Sequence, residues 1–156
     1  MTKIFYLKEK GSLVGPSDFP GFDVLCAEST TEATKLIKGN RDSIDAFVLG
    51  LIVYKTNAHM HFSLDEGARV YDLIDEMGVV GERPIVFYSL MAECLRPQVL
   101  YEEPGRIYDP KTPGEDMDLN WFCWDRNGQK ILEDHRRKIY VLDSFSKPWE
   151  ITRLVK

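Results

Sequence analysis

The most informative stretch of the sequence is Asp45–Val53, which reads DAFVLGLIV. It is apolar along almost its whole length and lacks the alternation of a strand with one face in water. An uninterrupted apolar run of this length is typical of a strand buried on both faces of a parallel sheet. The rest of the chain is therefore searched for further parallel strands and for the helices that would cover them.

Two strands are predicted before this run. Lys3–Leu7 is rich in β-branched and aromatic residues and predicts the first strand, and Asp23–Glu28 predicts the second. The segment between them, residues 8–22, contains three glycines and two prolines. Breakers at this density leave little room for a helix, so the first helix is expected to be short or missing.

Two helices are predicted from the same start signal, a serine followed three residues later by glutamate, which is the pattern of a capping box. The two pairs are Ser29 with Glu32 and Ser63 with Glu66. Apolar residues at helical spacing follow both pairs, and we expect one helix over about 30–38, with Gly39 just after it, and another that stops at Gly78. Between the Asp45–Val53 run and the second helix, Tyr54–Phe62 is predicted to be a polar connection.

Further strands are predicted at Pro84–Leu90 and Lys138–Leu142, and a last helix from Pro148 to Lys156. Strands thus alternate with helices along most of the chain. This order predicts an α/β fold, a single domain over residues 1–156 with a parallel sheet covered by helices on both faces.

The segment 91–137 interrupts the alternation. Residues 121–124, Trp-Phe-Cys-Trp, are rich in aromatic side chains; a turn with Asn127-Gly128 follows, and then a short strand at Gln129–Leu132. This pattern predicts a β-hairpin. Large aromatic side chains on a hairpin can form a partner surface. The candidates are Trp121, Phe122 and Trp124. The alternative is that they pack beneath the surrounding proline-rich turns.

Composition narrows the class of protein. The chain has 156 residues, of which 44% are hydrophobic and 29% charged, and its net charge is −5 from 20 basic and 25 acidic residues. This is a globular composition, and its negative charge disfavours nucleic acid as a partner. The longest apolar run, Ala46–Tyr54, is far shorter than the ~20 residues of a membrane helix. We expect no membrane partner, no signal peptide and a cytoplasmic location.

The cysteine and histidine residues give only weak indications of metal binding or thiol chemistry. Cys26, Cys94 and Cys123 are odd in number and not at metal-binding spacing, which fits free thiols in a reducing compartment. His59 and His61 would share a face of a strand, but they have no third ligand near them in sequence and a loop is the simpler account. We predict no metal and no cofactor.

In an open parallel sheet, ligands bind at the carboxyl ends of the strands. The candidate residues at this edge are Lys8 and Glu9 after the first strand, Gly50 in the third, Ser89 at the end of the fourth, and Lys147-Pro148 after the fifth.

This ordered set resembles the receiver domain of two-component response regulators. That family has an acidic pair after strand one, a phospho-accepting aspartate ending strand three, a serine or threonine ending strand four and Lys-Pro after strand five. The resemblance covers about two thirds of the chain. It implies a flavodoxin-like, doubly wound sheet of five parallel strands in the order 2-1-3-4-5, with the 91–137 segment inserted between strands four and five.

The chain departs from this pattern where the chemistry occurs. Gly50 stands where the acceptor aspartate belongs, and Lys8 replaces one of the two acids. The expected pocket of Lys8, Glu9 and Lys147 has a formal charge of +1, which is unsuited to Mg²⁺ because a hard cation needs several oxygen ligands. We therefore predict a pseudo-receiver without enzymatic activity, in which Glu9 pairs with Lys147.

The expected function is phosphorylation-independent protein–protein contact in signal transduction, with the 91–137 segment binding a signalling protein or a second copy of the chain. One alternative is an α/β enzyme that processes nucleotides or sugars, with Glu9, Glu28, Ser89 and Asp143 lining a crevice, although no glycine-rich phosphate loop is present. Another is a receiver-like domain that senses a small anion through its basic pocket.

Overall fold

The fold is taken from a computed structural model, which describes residues 1–58, 60–78, 83–89, 139–143 and 147–155. The strands are β1 (Lys3–Leu7), β2 (Asp23–Ala27), β3 (Ala46–Leu49), β4 (Val53–Tyr54), β5 (Phe62–Ser63), β6 (Ile85–Ser89) and β7 (Ile139–Asp143). The helices are α1 (Thr30–Gly39), α2 (Leu64–Glu76) and α3 (Pro148–Val155).

Five of the strands form one parallel sheet in the order β2-β1-β3-β6-β7. The register aligns strand ends, because Leu7 lies opposite both Ala27 and Leu49, and Ser89 lies opposite Asp143. The predicted α/β fold with a parallel central sheet is confirmed, and the architecture is broadly flavodoxin-like.

The side chains of the central strands alternate between two apolar cores. On one face, Phe5, Phe47 and Phe87 pack with residues of α1 and α2; on the other, Tyr6 and Val48 pack with residues of α3 and the 8–22 segment. The helix residues of the first core are Ala33, Ile37, Val70, Tyr71 and Ile74, and the covering residues of the second are Phe19, Ile151 and Val155. Both faces of the sheet are therefore buried, which explains why its strands are apolar without alternation.

Helix α1 begins as its sequence predicts. Ser29 is the N-cap, and its Oγ accepts a hydrogen bond of 3.1 Å from the backbone N–H of Glu32. The helix extends one residue further than predicted, through Gly39, and the N–H of Asn40 closes it by donating to the carbonyls of Leu36 and Ile37.

The predicted strand Asp45–Val53 is too long. Strand β3 ends at Leu49, and Val53 belongs to β4, which pairs with β5 in a small antiparallel ribbon. The apolar run continues past Leu49 because Leu51 and Val53 are buried in the core that α1 and α2 cover. Burial in this core, rather than pairing in the central sheet, accounts for the last part of the run, and the predicted connection 54–62 is partly β structure.

Helix α2 begins after Ser63 and ends before Gly78, as predicted, but the hydrogen bonds at its N-terminus differ from the prediction. Gly78 has a φ of +63°, the left-handed conformation that glycine adopts after a helix. Ser63 is the N-cap, but its side chain makes no capping hydrogen bond, so the second predicted capping box is wrong. The Glu66 carboxylate instead accepts a 2.6 Å hydrogen bond from Thr30 Oγ1 and pairs with Arg69 at 2.7 Å.

Between β1 and β2, all residues are described and none is in an α-helix; a single 3-10 turn, Pro16–Asp18, is the helical content of this segment. Within the described ranges, no helix has both the length and the apolar character needed to cross a membrane. The predicted hairpin within 91–137 lies outside the described residues.

Candidate functional site

The site is built where three neighbouring strands end. β1, β3 and β6 are adjacent and parallel, so the residues that follow them meet at the carboxyl edge of the sheet. The structure brings together three of the residues predicted from the sequence: Glu9, Gly50 and Ser89.

Glu9 is a buried carboxylate, with 5% of the residue exposed. One of its oxygens, Oε1, accepts hydrogen bonds from the backbone N–H of Ile52 at 3.0 Å and of Leu51 at 3.4 Å. The same oxygen accepts a hydrogen bond from the hydroxyl of Ser89, which is fully buried. A carboxylate at this depth is tolerated because hydrogen-bond donors surround it.

Backbone hydrogen bonds place Glu9 against the residues that follow β3. The N–H of Gly50 donates to the carbonyl of Leu7 at 2.8 Å, and the N–H of Lys10 donates to the carbonyl of Ile52 at 2.8 Å. These two bonds lie on either side of Glu9 in the chain. The N–H groups of residues 51 and 52 are thereby held facing its carboxylate.

The loop after Glu9 is held to β1 by Tyr6. The Tyr6 hydroxyl donates to the carbonyl of Val14 at 3.0 Å and lies 3.3 Å from Ser12 Oγ. Burial raises the pKa of this phenol far above its usual value, so the hydroxyl keeps its proton and remains a donor. The loop that follows Glu9 is therefore anchored to the sheet on which the site is built.

Gly50 has no room for a side chain. An ideal Cβ built on it would lie 2.8 Å from Glu9 Cβ and 2.9 Å from both the Glu9 nitrogen and the Leu7 carbonyl oxygen. Two of these three atoms are backbone, which cannot rotate away. The sequence suggested a strand end that had simply lost an acid; the structure shows a position where the backbone of β1 and the side chain of Glu9 fill the space.

A second glycine, Gly67 in α2, was not identified from the sequence. An ideal Cβ on Gly67 would lie 2.7 Å from Leu51 Cα and 2.8 Å from the Gly50 carbonyl oxygen. The first turns of α2 therefore pack backbone to backbone on the same residues that bind Glu9. An isolated glycine in an amphipathic helix is the signal that would have indicated this contact.

The two predicted lysines do not bind Glu9. Lys8 Nζ pairs with Glu28 at 3.6 Å, and both side chains are partly exposed. Lys147 is exposed, and its backbone N–H donates to Glu150 Oε2 at 2.6 Å at the start of α3, which Pro148 opens. The ion pairs among the described residues do not include the predicted pair of Glu9 with Lys147.

Of the four residues of the enzyme alternative, two are in direct contact. Glu9 and Ser89 are hydrogen-bonded to each other, whereas Glu28 is exposed and paired with Lys8. Asp143 ends β7 opposite Ser89 in the backbone register.

The described residues give little support for thiol chemistry at Cys26 or for a metal site. Burial, and next the charge of Glu28, raise the pKa of the Cys26 thiol to about 11, so Cys26 is a weak nucleophile at neutral pH. Within the part of the chain that the structure describes, no group of three or more His, Cys, Asp or Glu residues is arranged to hold a metal ion. His61 is exposed, and His59 lies outside the described residues, as do Trp121, Phe122 and Trp124.

Comparison with known proteins gives no match to a protein-family model, to a curated protein or to a solved structure. The interpretation of the site therefore depends on its own geometry.

Proposed function

We propose that this chain is a phosphorylation-independent pseudo-receiver that acts as a protein–protein interaction module in signal transduction. In this proposal the sheet is the doubly wound sheet of the receiver family, and the 91–137 segment is a hairpin-bearing insertion between its last two strands. The family assignment comes from the residue resemblance, and the geometry at the carboxyl edge supports the loss of phosphotransfer.

The observation that carries the proposal is the hydrogen bonding of Glu9. Its buried carboxylate binds two backbone N–H groups and the Ser89 hydroxyl at the edge where the resemblance places an acceptor aspartate. Gly50, at the acceptor position, has no nucleophile and no space for one. The donors that would surround a phosphoryl group are bound to the protein's own carboxylate.

The same geometry disfavours the metal that phosphotransfer requires. Mg²⁺ prefers near-octahedral oxygen coordination, usually from carboxylates and water. Of the acidic pair in the family pattern, Glu9 remains and its Oε1 already accepts three hydrogen bonds, while Lys8 places an ammonium group at the other position and binds Glu28.

The role of Ser89 follows from the resemblance. In that comparison Ser89 is the hydroxyl that responds to a phosphoryl group, and here it donates to Glu9. In this proposal Glu9 takes the place of a phosphoryl group as the hydrogen-bond partner of this hydroxyl. A module with a constant surface, which binds its partner without phosphorylation, is the function that this arrangement supports best.

The test is a titration of the ¹⁵N-labelled protein with Mg²⁺ and beryllofluoride, which imitates an acyl phosphate. We expect the amide resonances of Glu9, Gly50 and Ser89 to stay unchanged at millimolar ligand, and acetyl phosphate to add no phosphoryl group by mass spectrometry. Saturable shifts of these three resonances, or a phosphorylated product, would overturn the proposal.

A further inference from the structure

A second candidate site lies between the 16–22 segment and α3. It is a half-open groove of about 520 Å³, within the range of roughly 300–1,000 Å³ that is usual for ligand pockets. Its lining includes Thr2, Asp18, Pro20, Phe22, Trp149 and Thr152. None of these residues takes part in the Glu9 site.

Trp149 is the most unusual residue of the groove. It is 62% exposed, although tryptophan is highly buried on average. The guanidinium of Arg153 lies over its ring at 5.9 Å from the centroid, which is a cation–π distance. The indole thus already has one cation partner, Arg153, and its ring also lines the groove, where it offers an aromatic surface.

The lining of the groove carries one negative charge, with the Arg153 guanidinium beside it over the Trp149 ring. Asp18 is the charged residue among those that line it, and its Oδ2 accepts a 2.7 Å hydrogen bond from the N–H of Gly15, which fixes the carboxylate in position. An ionised carboxylate accepts more than one hydrogen bond at each oxygen, so Asp18 retains acceptor capacity. A cationic occupant complements this wall.

The remaining lining fits a long side chain with a polar end. Pro20 and Phe22 supply apolar surface for a methylene stem. The Thr152 hydroxyl donates to the carbonyl of Trp149 at 3.1 Å, which leaves its oxygen lone pairs to accept hydrogen bonds. An aromatic ring, a carboxylate, hydroxyl oxygens and an apolar wall together match arginine, whose planar guanidinium both stacks and donates several hydrogen bonds.

We propose that this groove binds an arginine side chain presented by a partner protein. The inference rests on the proposed function in that the occupant is a protein; it adds the chemistry of the partner and a surface separate from the 91–137 segment. Trp149 stacks on the guanidinium, Asp18 neutralises it, and Phe22 and Pro20 contact the stem.

The experiment uses the full chain and two synthetic peptides that differ at one residue, acetyl-Gly-Leu-Arg-Leu-Gly-amide and its Glu counterpart. Binding is followed by the indole N–H resonance of Trp149, assigned with Trp149→Phe, and by the amides of Gly21 and Phe22. We expect saturable shifts with the Arg peptide only, an affinity at least threefold weaker in Asp18→Asn, and none in Trp149→Ala.

Two further arms separate the explanations. Gly39→Ala should leave peptide binding unchanged, because Gly39 does not line the groove and has room for a Cβ; the beryllofluoride titration reports on the pseudo-receiver proposal independently. Equal shifts with the Arg and Glu peptides, or unchanged affinity in Asp18→Asn, would overturn the proposed recognition. Free arginine amide binding more tightly than the Arg peptide would overturn its assignment to a protein partner.

Discussion

Glu9 places one carboxylate oxygen where two backbone N–H groups and a hydroxyl converge. Each buried donor that loses its acceptor costs about 1–3 kcal/mol, so the removal of this oxygen affects several groups together. The carboxylate is thus a structural element of the sheet edge in addition to its proposed role in excluding a phosphoryl group.

We expect Glu9→Ala to lower the free energy of unfolding by about 2–4 kcal/mol, because the N–H groups of Leu51 and Ile52 and the Ser89 hydroxyl lose their shared acceptor. Glu9→Gln keeps an acceptor oxygen and should cost less. Urea denaturation measures both. A Glu9→Ala variant as stable as the wild type would contradict the burial and hydrogen bonding described for this residue.

Gly50 is closely packed against β1, so a side chain at this position should also destabilise the protein. Because a Cβ on Gly50 would lie under 3 Å from backbone atoms of Leu7 and Glu9, Gly50→Ala should destabilise the protein by about 1–3 kcal/mol, as overpacking does. Gly39→Ala is the matched control, since a Cβ there meets no atom within 4 Å. Thermal unfolding compares the two; equal melting temperatures would show that the sheet edge adapts to a side chain.

Helices α1 and α2 are joined at their N-terminal ends. Thr30 Oγ1 donates to Glu66 Oε2 at 2.6 Å, and Arg69 pairs with the other oxygen of the same carboxylate. Glu66 is buried, with 5% of the residue exposed. This link fixes the start of α2, and with it the position of Gly67 over the Glu9 site.

Thr30→Val removes one of these donors while keeping the side-chain shape. We expect a loss of about 1–2 kcal/mol in the free energy of unfolding, because the Glu66 carboxylate stays buried with one partner fewer. Thr31→Val is the control, since Thr31 is exposed and its hydroxyl donates to the carbonyl of Lys55. If the control loses as much stability as Thr30→Val, the interhelical link is not the cause.

The elements themselves follow from local sequence to different extents. β1 matches its predicted bounds, and α1 differs from its prediction by one residue, because Ser29 caps the helix by a local hydrogen bond. The end of β3 was predicted wrongly because an apolar run indicates burial and not strand pairing. Leu51 and Val53 are buried, but they lie outside the central sheet. α2 begins after Ser63 as predicted, but the predicted capping box is wrong because Glu66 binds Thr30, which is 36 residues away.

At the scale of the whole molecule, the parallel sheet could be predicted from the alternation of apolar runs and helical segments. The residues of the site could be named in part, since Glu9 and Ser89 follow strands that end at the same edge. Their hydrogen bond could not be predicted, because Ser89 and Glu9 are 80 positions apart in the chain and local sequence patterns contain no information on contacts between such distant residues. Lys147 was assigned to the site by resemblance and is exposed.

The sequence predicts that the 91–137 segment carries the surface that binds a partner. Deletion of Trp121–Leu132 should abolish partner binding, measured as self-association by analytical ultracentrifugation or as capture of a signalling partner. The sheet should still fold, because the sequence predicts the hairpin as an insertion between two strands of the sheet. Circular dichroism checks the fold, and association that persists after the deletion would place the partner surface elsewhere.

The contact of Gly50 with β1 also has an evolutionary consequence. An aspartate at position 50 needs space held by Glu9 and by the end of β1, while Gly67 fixes the same turn from the side of α2. A side chain at position 50 would therefore lower the stability of the protein unless Glu9 and the end of β1 changed with it. Selection for folding alone is therefore sufficient to keep glycine at position 50.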